Sequence, residues 1–241
     1  MKDLLVKTLS EIVTDNFQTA TVFEKYGLDF CCKGKRPLQT VLEEKNIPGD
    51  VITAELALII SNQPNPVDFN SMSLTELAEY IVRVHHNYTK TNMPLILSYL
   101  QKVTTKHGHQ LPGLIQVHEL FTDLTDEMSQ HMFKEEKILF PRIKQLELFE
   151  EMRMGTEMLQ NPINVMKHEH DSAGNIMQKI KELTNNYTTD ASACTTLKMT
   201  FAALKAFEVD LHQHVHLENN ILFPKAIALS QKIMDNNPIN L

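Results

Sequence analysis

Apolar residues recur every three or four positions over most of this chain, the spacing at which side chains share one face of an α-helix. Two of the clearest apolar stripes follow residue 70: Leu74, Leu77, Ile81 and Val84, then Leu114, Val117, Phe121 and Leu124. The repeat predicts four long helices, near residues 73–105, 112–146, 156–185 and 192–232. Ser73 and Glu76 form a capping-box pattern that marks the start of the first helix. The expected fold class is therefore all-α, with an up-down-up-down four-helix bundle.

The first 60 residues have shorter apolar repeats and predict a small N-terminal helical domain. Four short helices are expected there, near residues 4–13, 17–26, 37–42 and 51–60. A stretch rich in Asn, with Pro64 and Pro66, interrupts regular structure before the bundle. We therefore expect the domain at 1–60, a linker at 61–72 and the bundle at 73–235. Pro141 and Pro224, inside the bundle, are expected to kink or end their helices.

The composition indicates a globular protein without a nucleic-acid or membrane partner. Hydrophobic residues make up 42% of the 241 and charged residues 22%, with a net charge of -7. An acidic chain lacks the basic surface that binds nucleic acid. The sequence shows no apolar run of membrane-spanning length and no secretory signal, and its three cysteines do not form a secreted disulfide framework. A cytoplasmic location is expected.

One phrase, His-x3-Glu-x3-Leu-Phe-Pro, occurs twice in the predicted bundle. The first copy contains His131 and Glu135, and the second contains His214 and Glu218. A His and a Glu four residues apart lie on one face of a helix, so both side chains reach the same point. Two such helices facing each other supply the ligands of a carboxylate-bridged dinuclear metal centre, for which iron is the best match.

A single histidine precedes each copy of the phrase at a similar distance. His85 lies 46 residues before His131, and His170 lies 44 residues before His214. His85 is preferred over its neighbour His86 because it continues the buried face from Ile81, and His170 is preferred over His168. Four His and two Glu would leave open positions for dioxygen, nitric oxide or water. A duplication that retains the pattern without metal is the alternative.

Three carboxylates stand near the predicted ligands, and two of them have two readings. Glu127 and Asp210 stand four residues before His131 and His214, so they either orient a ligand histidine or lie solvated on the helix surface. Glu169, beside His170, is predicted to line access to the centre and to relay protons.

Cys31 and Cys32 are the second chemical feature of the chain. Lys33, Lys35 and Arg36 follow them and are expected to favour reactive thiolates. The functional reading is redox exchange, nitrosylation or the handling of iron. The alternative is that two small residues pack a turn.

The chain resembles the RIC (repair of iron centres) family of di-iron proteins. Three motifs carry the resemblance: Lys-Tyr-Gly-Leu-Asp-Phe-Cys-Cys-Lys-Gly-Lys at 25–35, the two His-x3-Glu phrases, and Glu-His-Asp at 169–171. The resemblance covers nearly the whole chain, and the C-terminal part is similar to hemerythrin-like bundles. It implies two non-haem iron ions bridged by Glu135 and Glu218. The ligands it implies are His85, His131, Glu135, His170, His214 and Glu218.

The same resemblance implies a function in nitrosative and oxidative stress. Iron–sulfur clusters would be repaired with iron from the centre, and damaged iron–sulfur proteins would be the partners. Two alternatives stay open: reduction of nitric oxide to nitrous oxide, which would make the protein an enzyme, and a sensor or carrier of dioxygen or nitric oxide. A homodimer through the N-terminal domain is also expected, because a core of about 60 residues gains from docking.

Overall fold

The computed structural model describes residues 2–62, 67–148 and 156–236, and its regular structure there is helical, apart from one isolated bridge between Thr8 and Pro37. The all-α fold class is thereby confirmed. Pro64 and Pro66, on which the predicted linker depends, lie outside the described residues. None of the described helices combines the length and the hydropathy that crossing a membrane requires.

Five short helices form the N-terminal domain: α1 (Lys2–Val6), α2 (Leu9–Asp15), α3 (Ala20–Tyr26), α4 (Leu38–Lys45) and α5 (Gly49–Asn62). The first predicted helix is divided in two, because Thr8 and Glu11 form a capping box that begins α2. Gly27 ends α3 with a φ of 59°, a left-handed conformation that suits glycine.

The bundle follows as four long helices, three of which contain a π-turn. The α-helical parts are α6 (Leu74–Ile81), α7 (Asn87–His107), α8 (Gly113–Lys134), α9 (Phe140–Leu148), α10 (Glu157–Leu183), α11 (Thr195–His216) and α12 (Phe223–Asn236). The π-turns are Val82–His86, Glu135–Leu139 and Leu217–Leu222. We call 74–107 and 113–148 the first hairpin, and 157–183 and 195–236 the second hairpin.

Two of the π-turns precede the prolines of the repeated phrase. The N–H of Phe140 bonds to the carbonyl of Glu135, and the N–H of Phe223 to that of Glu218, five residues back in each case. A proline has no N–H and its ring crowds the preceding turn, and a wider turn accommodates both effects. Pro141 and Pro224 were expected to kink or end their helices. Neither ends its helix, because α9 and α12 continue beyond them, and the kink stays a prediction.

Two apolar clusters fill the molecule, and the polar centre lies between them along each bundle helix. One joins the N-terminal domain to the far part of the bundle and includes Leu100, Phe121 and Phe207. The other fills the opposite end and includes Leu77 and Ile143. The repeated phrases therefore occur where the core changes from apolar to polar.

Candidate metal centre

Six buried side chains meet at the level of the π-turns. None is more than 1% exposed: His86, His131, Glu135, His170, His214 and Glu218. Their donor atoms form two overlapping groups, each with all atoms within 4.8 Å of one another. Glu135 and Glu218 belong to both groups. We call the group completed by His86 and His214 the His86 position, and the group completed by the other two histidines the His170 position.

Glu135 lies between histidines of two helices. Its Oε2 is 3.2 Å from His131 Nε2 and 3.3 Å from His86 Nε2. Among the described residues, however, neither side-chain oxygen of Glu135 has a partner with hydrogen-bond geometry, and Nε2 of His86 has none either. Leaving such atoms buried and unpartnered is costly, and a bound cation removes that cost. His and carboxylate donors are those that iron takes, so these residues fit the metal that the sequence predicts.

Glu218 has the equivalent place on the fourth helix. Its carboxylate lies 3.0 Å from His170 Nε2 and 3.2 Å from His214 Nε2. Burial raises the pKa of Glu218, but the two histidines outweigh burial and hold that pKa well below its ordinary value. The charged carboxylate is the form that binds a cation, so the site is electrostatically prepared for one.

His131 shows the corresponding effect on an imidazole. Burial lowers its pKa, but the charge of Glu135 and the carboxylates nearby raise it to about 10. Without a cation, protons on imidazoles thus compensate the buried carboxylates. Metal binding must displace them, and proton release should accompany it.

The outer nitrogens of three of the four histidines in these groups are held by polar partners. His86 Nδ1–H donates to Glu136 at 2.8 Å, and His131 Nδ1–H donates to Glu169 at 3.0 Å. His170 Nδ1–H donates to the amide oxygen of Asn219 at 3.1 Å. Such partners fix the tautomer and leave Nε2 free for a metal.

Glu169 was predicted to line access to the centre and to relay protons. The structure places it outside the buried groups, on the outer nitrogen of His131 and in contact with Lys134. The hydrogen bond from His131 and the lysine charge hold its pKa at about 2, against the opposing effect of burial. Glu169 therefore orients His131 in this structure, and its proton relay stays a prediction.

The geometry differs from the sequence prediction at the first histidine, because His86 rather than His85 belongs to the buried groups. In the π-turn the N–H of Asn87 bonds to the carbonyl of Val82, five residues back. The wider turn brings His86, the fifth residue after Ile81, to the buried groups, where a regular α-helix would bring His85, the fourth. The internal repeat supports this placement, because Phe140 stacks on His86 and Phe223 on His170, with ring centroids 5.8 and 6.2 Å apart.

His85 is buried as well, although it stands outside both groups. Its Nδ1–H donates to Asp210 at 3.0 Å, so Asp210 holds a buried histidine, and whether it orients a metal ligand stays a prediction. Glu127, its counterpart in the first hairpin, instead accepts a hydrogen bond from the hydroxyl of Ser172.

The roles of Glu136 and Asn219 were missed in the sequence. Each directly follows a Glu of the repeated phrase, and each reaches back to the single histidine of its own hairpin. Their matching positions in the two copies of the phrase were the signal from which their roles could have been predicted.

The two cysteines of the N-terminal domain are free thiols with their sulfurs 3.8 Å apart. Asp29 accepts the backbone N–H groups of both residues and lies 3.3 Å from Cys31 Sγ. The neighbouring thiol, burial and the Asp29 charge raise the pKa of Cys31 well above its ordinary value. The thiolate-favouring effect expected from the following lysines is therefore not seen at Cys31. Asp29 and the two thiols form a third group of donors within 4.8 Å.

Asn219 and Asn220 connect residues 29–32, which we call the cysteine loop, with the buried centre. Asn219 holds His170, while Asn220 donates to the carbonyls of Phe30 and Cys31, each at 3.3 Å. Both asparagines line a cavity of about 200 Å³ between the bundle and α2. The His170 position is thus the one that adjoins the N-terminal domain.

Comparison with known proteins agrees with both parts of the structure. The model of the hemerythrin HHE cation-binding domain matches residues 77–226, and that of a domain of unknown function (DUF542) matches residues 5–59. The chain is 37% identical to the iron–sulfur cluster repair protein YtfE of Escherichia coli O81 (strain ED1a) over 220 residues, which are 91% of this chain and 96% of the relative. The YtfE protein of Escherichia fergusonii matches with the same identity and coverage.

Proposed function

Because this chain belongs to the iron–sulfur cluster repair family with a hemerythrin HHE domain, we propose that it repairs iron–sulfur clusters damaged by nitrosative and oxidative stress. The observation that carries this proposal is the buried set of four histidines and two shared carboxylates, with donor atoms that lack protein partners among the described residues. A damaged cluster that has lost iron needs a protein that holds iron and gives it up.

The six residues would hold two non-haem iron ions, with Glu135 and Glu218 shared between them. Such a pair would supply exchangeable iron and open positions for small ligands such as nitric oxide or dioxygen. The partners of the histidines support the His170 position as the one that would exchange iron more easily. Carboxylates hold His86 and His131, whereas the neutral amide of Asn219 holds His170. A neutral partner makes His170 less basic and so the weaker ligand.

The place of the cysteine loop beside the His170 position supports a route by which iron would leave the centre. Asn220 fixes the carbonyl of Cys31 next to the residue that holds His170. Iron that leaves the His170 position would meet the donor group of Asp29, Cys31 and Cys32 on its way to a partner. Each thiol would give up its proton on binding iron. We propose this loop as the transfer group of the repair reaction.

The proposed partners are damaged iron–sulfur proteins of the cytoplasm. A homodimer through the N-terminal domain is also part of the proposal, supported by apolar side chains that this domain leaves exposed, such as Val6 at 68% and Leu58 at 60%. Light scattering of Leu58→Glu against the unchanged protein checks the dimer. Equal masses for both would exclude α5 from the contact.

The test of function is the recovery of an iron-depleted, nitric oxide-treated [4Fe–4S] enzyme by this protein loaded with isotopically labelled iron. Labelled iron should appear in the restored cluster, and Glu218→Gln should supply little of it. The exposed His109→Gln serves as the matched control. Recovery that is equal without bound iron would contradict the proposal. Sustained nitrous oxide formation with a reductant, without transfer of label, would favour nitric oxide reduction instead.

A further inference from the structure

Three lysines near the cysteine loop have no part in the function proposed above. Lys33 and Lys35 directly follow the loop, and both are exposed. Lys167 is partly buried on α10, three residues before His170. The sequence predicts that the two loop lysines favour thiolates, but the pKa of Cys31 is raised. The three positive charges therefore need another explanation.

The backbone around Lys35 is held against the start of α2. The carbonyl of Gly34 accepts the N–H of Ser10 at 2.8 Å. Gly34 also passes so close to the carbonyl of Phe30 that a Cβ at this position would collide with that oxygen. The chain therefore presents Lys35 in a defined place, at the cavity of about 200 Å³ beside the His170 position.

The acidic residues of this cavity are already engaged. Glu11 caps α2 by accepting the N–H of Thr8 at 2.8 Å, and Asp15 pairs with Lys7 at the same distance. Lys35, by contrast, has no hydrogen-bond or ion-pair partner among the residues that the structure describes. Its charge therefore stays uncompensated at the opening of the cavity.

Lys167 adds a second uncompensated charge from the bundle. Partial burial lowers the pKa of Lys167, and the charge of Lys35 lowers it further. Lys167 and Lys33 likewise have no ion-pair partner within the described part of the chain. Lysines of the N-terminal domain and of the second hairpin thus gather on one side of a chain with a net charge of -7. An anionic partner would relieve their mutual repulsion.

A protein that needs iron for its cluster has the matching charge. An iron–sulfur cluster held by Cys thiolates is anionic, and a cluster that has lost a ferrous ion is more negative still. We propose that Lys33, Lys35 and Lys167 form a docking surface for an acidic iron–sulfur protein with a damaged cluster near its surface. The proposal rests on the function proposed above, and it brings the partner's cluster to the cysteine loop. An acidic chain lacks the broad basic surface that nucleic acid requires, which favours a protein as the partner.

Transfer of labelled iron to the reduced [3Fe–4S] form of an acidic bacterial ferredoxin tests the docking surface. One Fe(II) completes each neutral [3Fe–4S] core to [4Fe–4S] without a further electron, and Mössbauer spectroscopy of the label measures the rate. The docking variant carries Lys33→Glu, Lys35→Glu and Lys167→Glu. It should transfer iron at least ~10-fold more slowly than the unchanged protein at low ionic strength, because charge complementarity accelerates encounter. The difference should shrink as salt is added.

The control variant has the same net charge but changes three exposed lysines of the first hairpin: Lys102→Glu, Lys106→Glu and Lys137→Glu. It should be slowed much less than the docking variant, so the comparison isolates where the charges lie. Release of iron to a neutral bipyridine chelator should be equal for the docking variant and the unchanged protein, because the chelator needs no docking. If the docking variant does not fold, the same positions changed to Gln in both variants repeat the comparison.

The outcomes separate this inference from the proposed function. Equal transfer by the docking and control variants would overturn the docking surface and leave iron donation in place. Slower release to bipyridine by the same factor would also overturn it, because the lysines would then act on the iron and not on the partner. Tighter binding of the unchanged protein to a DNA duplex than to the ferredoxin would assign the lysines to nucleic acid instead. Absence of transfer by the unchanged protein would overturn the proposed function, and the docking surface with it.

Discussion

The two hairpins of the bundle carry the same phrase but present different surroundings to it. Phe133 and Ile138 of the first hairpin are 60% and 42% exposed, whereas His216 and Ile221, at the same places in the second, are 1% and 3% exposed. The N-terminal domain covers the second hairpin, where His216 approaches Thr14 and the ring of Phe30. One repeated scaffold thus places a symmetric set of buried histidines and carboxylates, while the N-terminal domain, among the described residues, adjoins the His170 position.

The residues around the two buried groups differ between the hairpins in the same way. Glu136 follows the shared carboxylate of the first hairpin and is paired with Lys90 at the surface. Asn219 follows that of the second hairpin and lines the cavity against α2. The buried histidines and carboxylates are therefore duplicated between the hairpins, and the differences begin at the residue that follows each carboxylate.

Loss of a shared carboxylate should have the largest effect and tests whether the hairpins contribute equally. Glu135→Gln and Glu218→Gln should each reduce bound iron from two ions per chain to less than one, because both positions lose a ligand. The loss of affinity should exceed the ~10- to 100-fold that removal of an outer partner costs. Iron analysis after gel filtration measures it. Glu127→Gln, one turn before the phrase, should retain both ions. If only one of Glu135→Gln and Glu218→Gln loses iron, and it loses a single ion, the carboxylates are not shared.

The outer partners should account for the unequal positions. Asn219→Asp should slow the loss of iron to a chelator ~10-fold, and Glu136→Gln should accelerate it by a similar factor, because a carboxylate makes the histidine it holds more basic. Stopped-flow absorbance of the chelate gives both rates. Asn164→Asp adds the same charge on an exposed part of α10 and should change neither rate. Equal rates for Asn219→Asp and the unchanged protein would remove Asn219 as the cause of the asymmetry.

Much of this centre follows from sequence because a repeated phrase on helices fixes both spacing and face. Ser73 caps the first bundle helix with Glu76, as the sequence predicts. The choice between His85 and His86 does not follow, because one additional residue in a π-turn rotates every later side chain and leaves no mark in the apolar pattern. The link between Asn220 and the cysteine loop depends on packing between residues about 190 apart, Asn220 and Phe30, and local periodicity carries no information on it.

The contact between Asn220 and the cysteine loop separates the hairpins further. Asn220→Ala should increase the rate of Cys31 alkylation several-fold, because the hydrogen bond that its amide shares between two carbonyls, worth about 1 kcal/mol, no longer holds the loop over a buried thiol. Labelling with iodoacetamide, followed by peptide mass spectrometry, gives the rate. Lys137 has the same place in the first hairpin and is exposed, so Lys137→Ala should leave the rate unchanged. The opposite ranking of these two variants would show that the loop opens independently of the second hairpin.

The smallest expected effect concerns how each hairpin begins. Glu147 accepts the N–H groups of Leu74 and Thr75, so the first hairpin closes on its own start, whereas Thr156 makes no side-chain cap for the second. Glu147→Gln should lower the free energy of unfolding by about 1 kcal/mol, a typical capping contribution. Burial raises the pKa of Glu147, but these hydrogen bonds lower it below 4.5, so the difference should be present above pH 4.5 and vanish as pH falls below it. Urea titrations at pH 7 and pH 3 measure it, with the exposed Glu157→Gln as control. A difference that persists undiminished at pH 3 would mean that the carboxylate charge is not what closes the first hairpin.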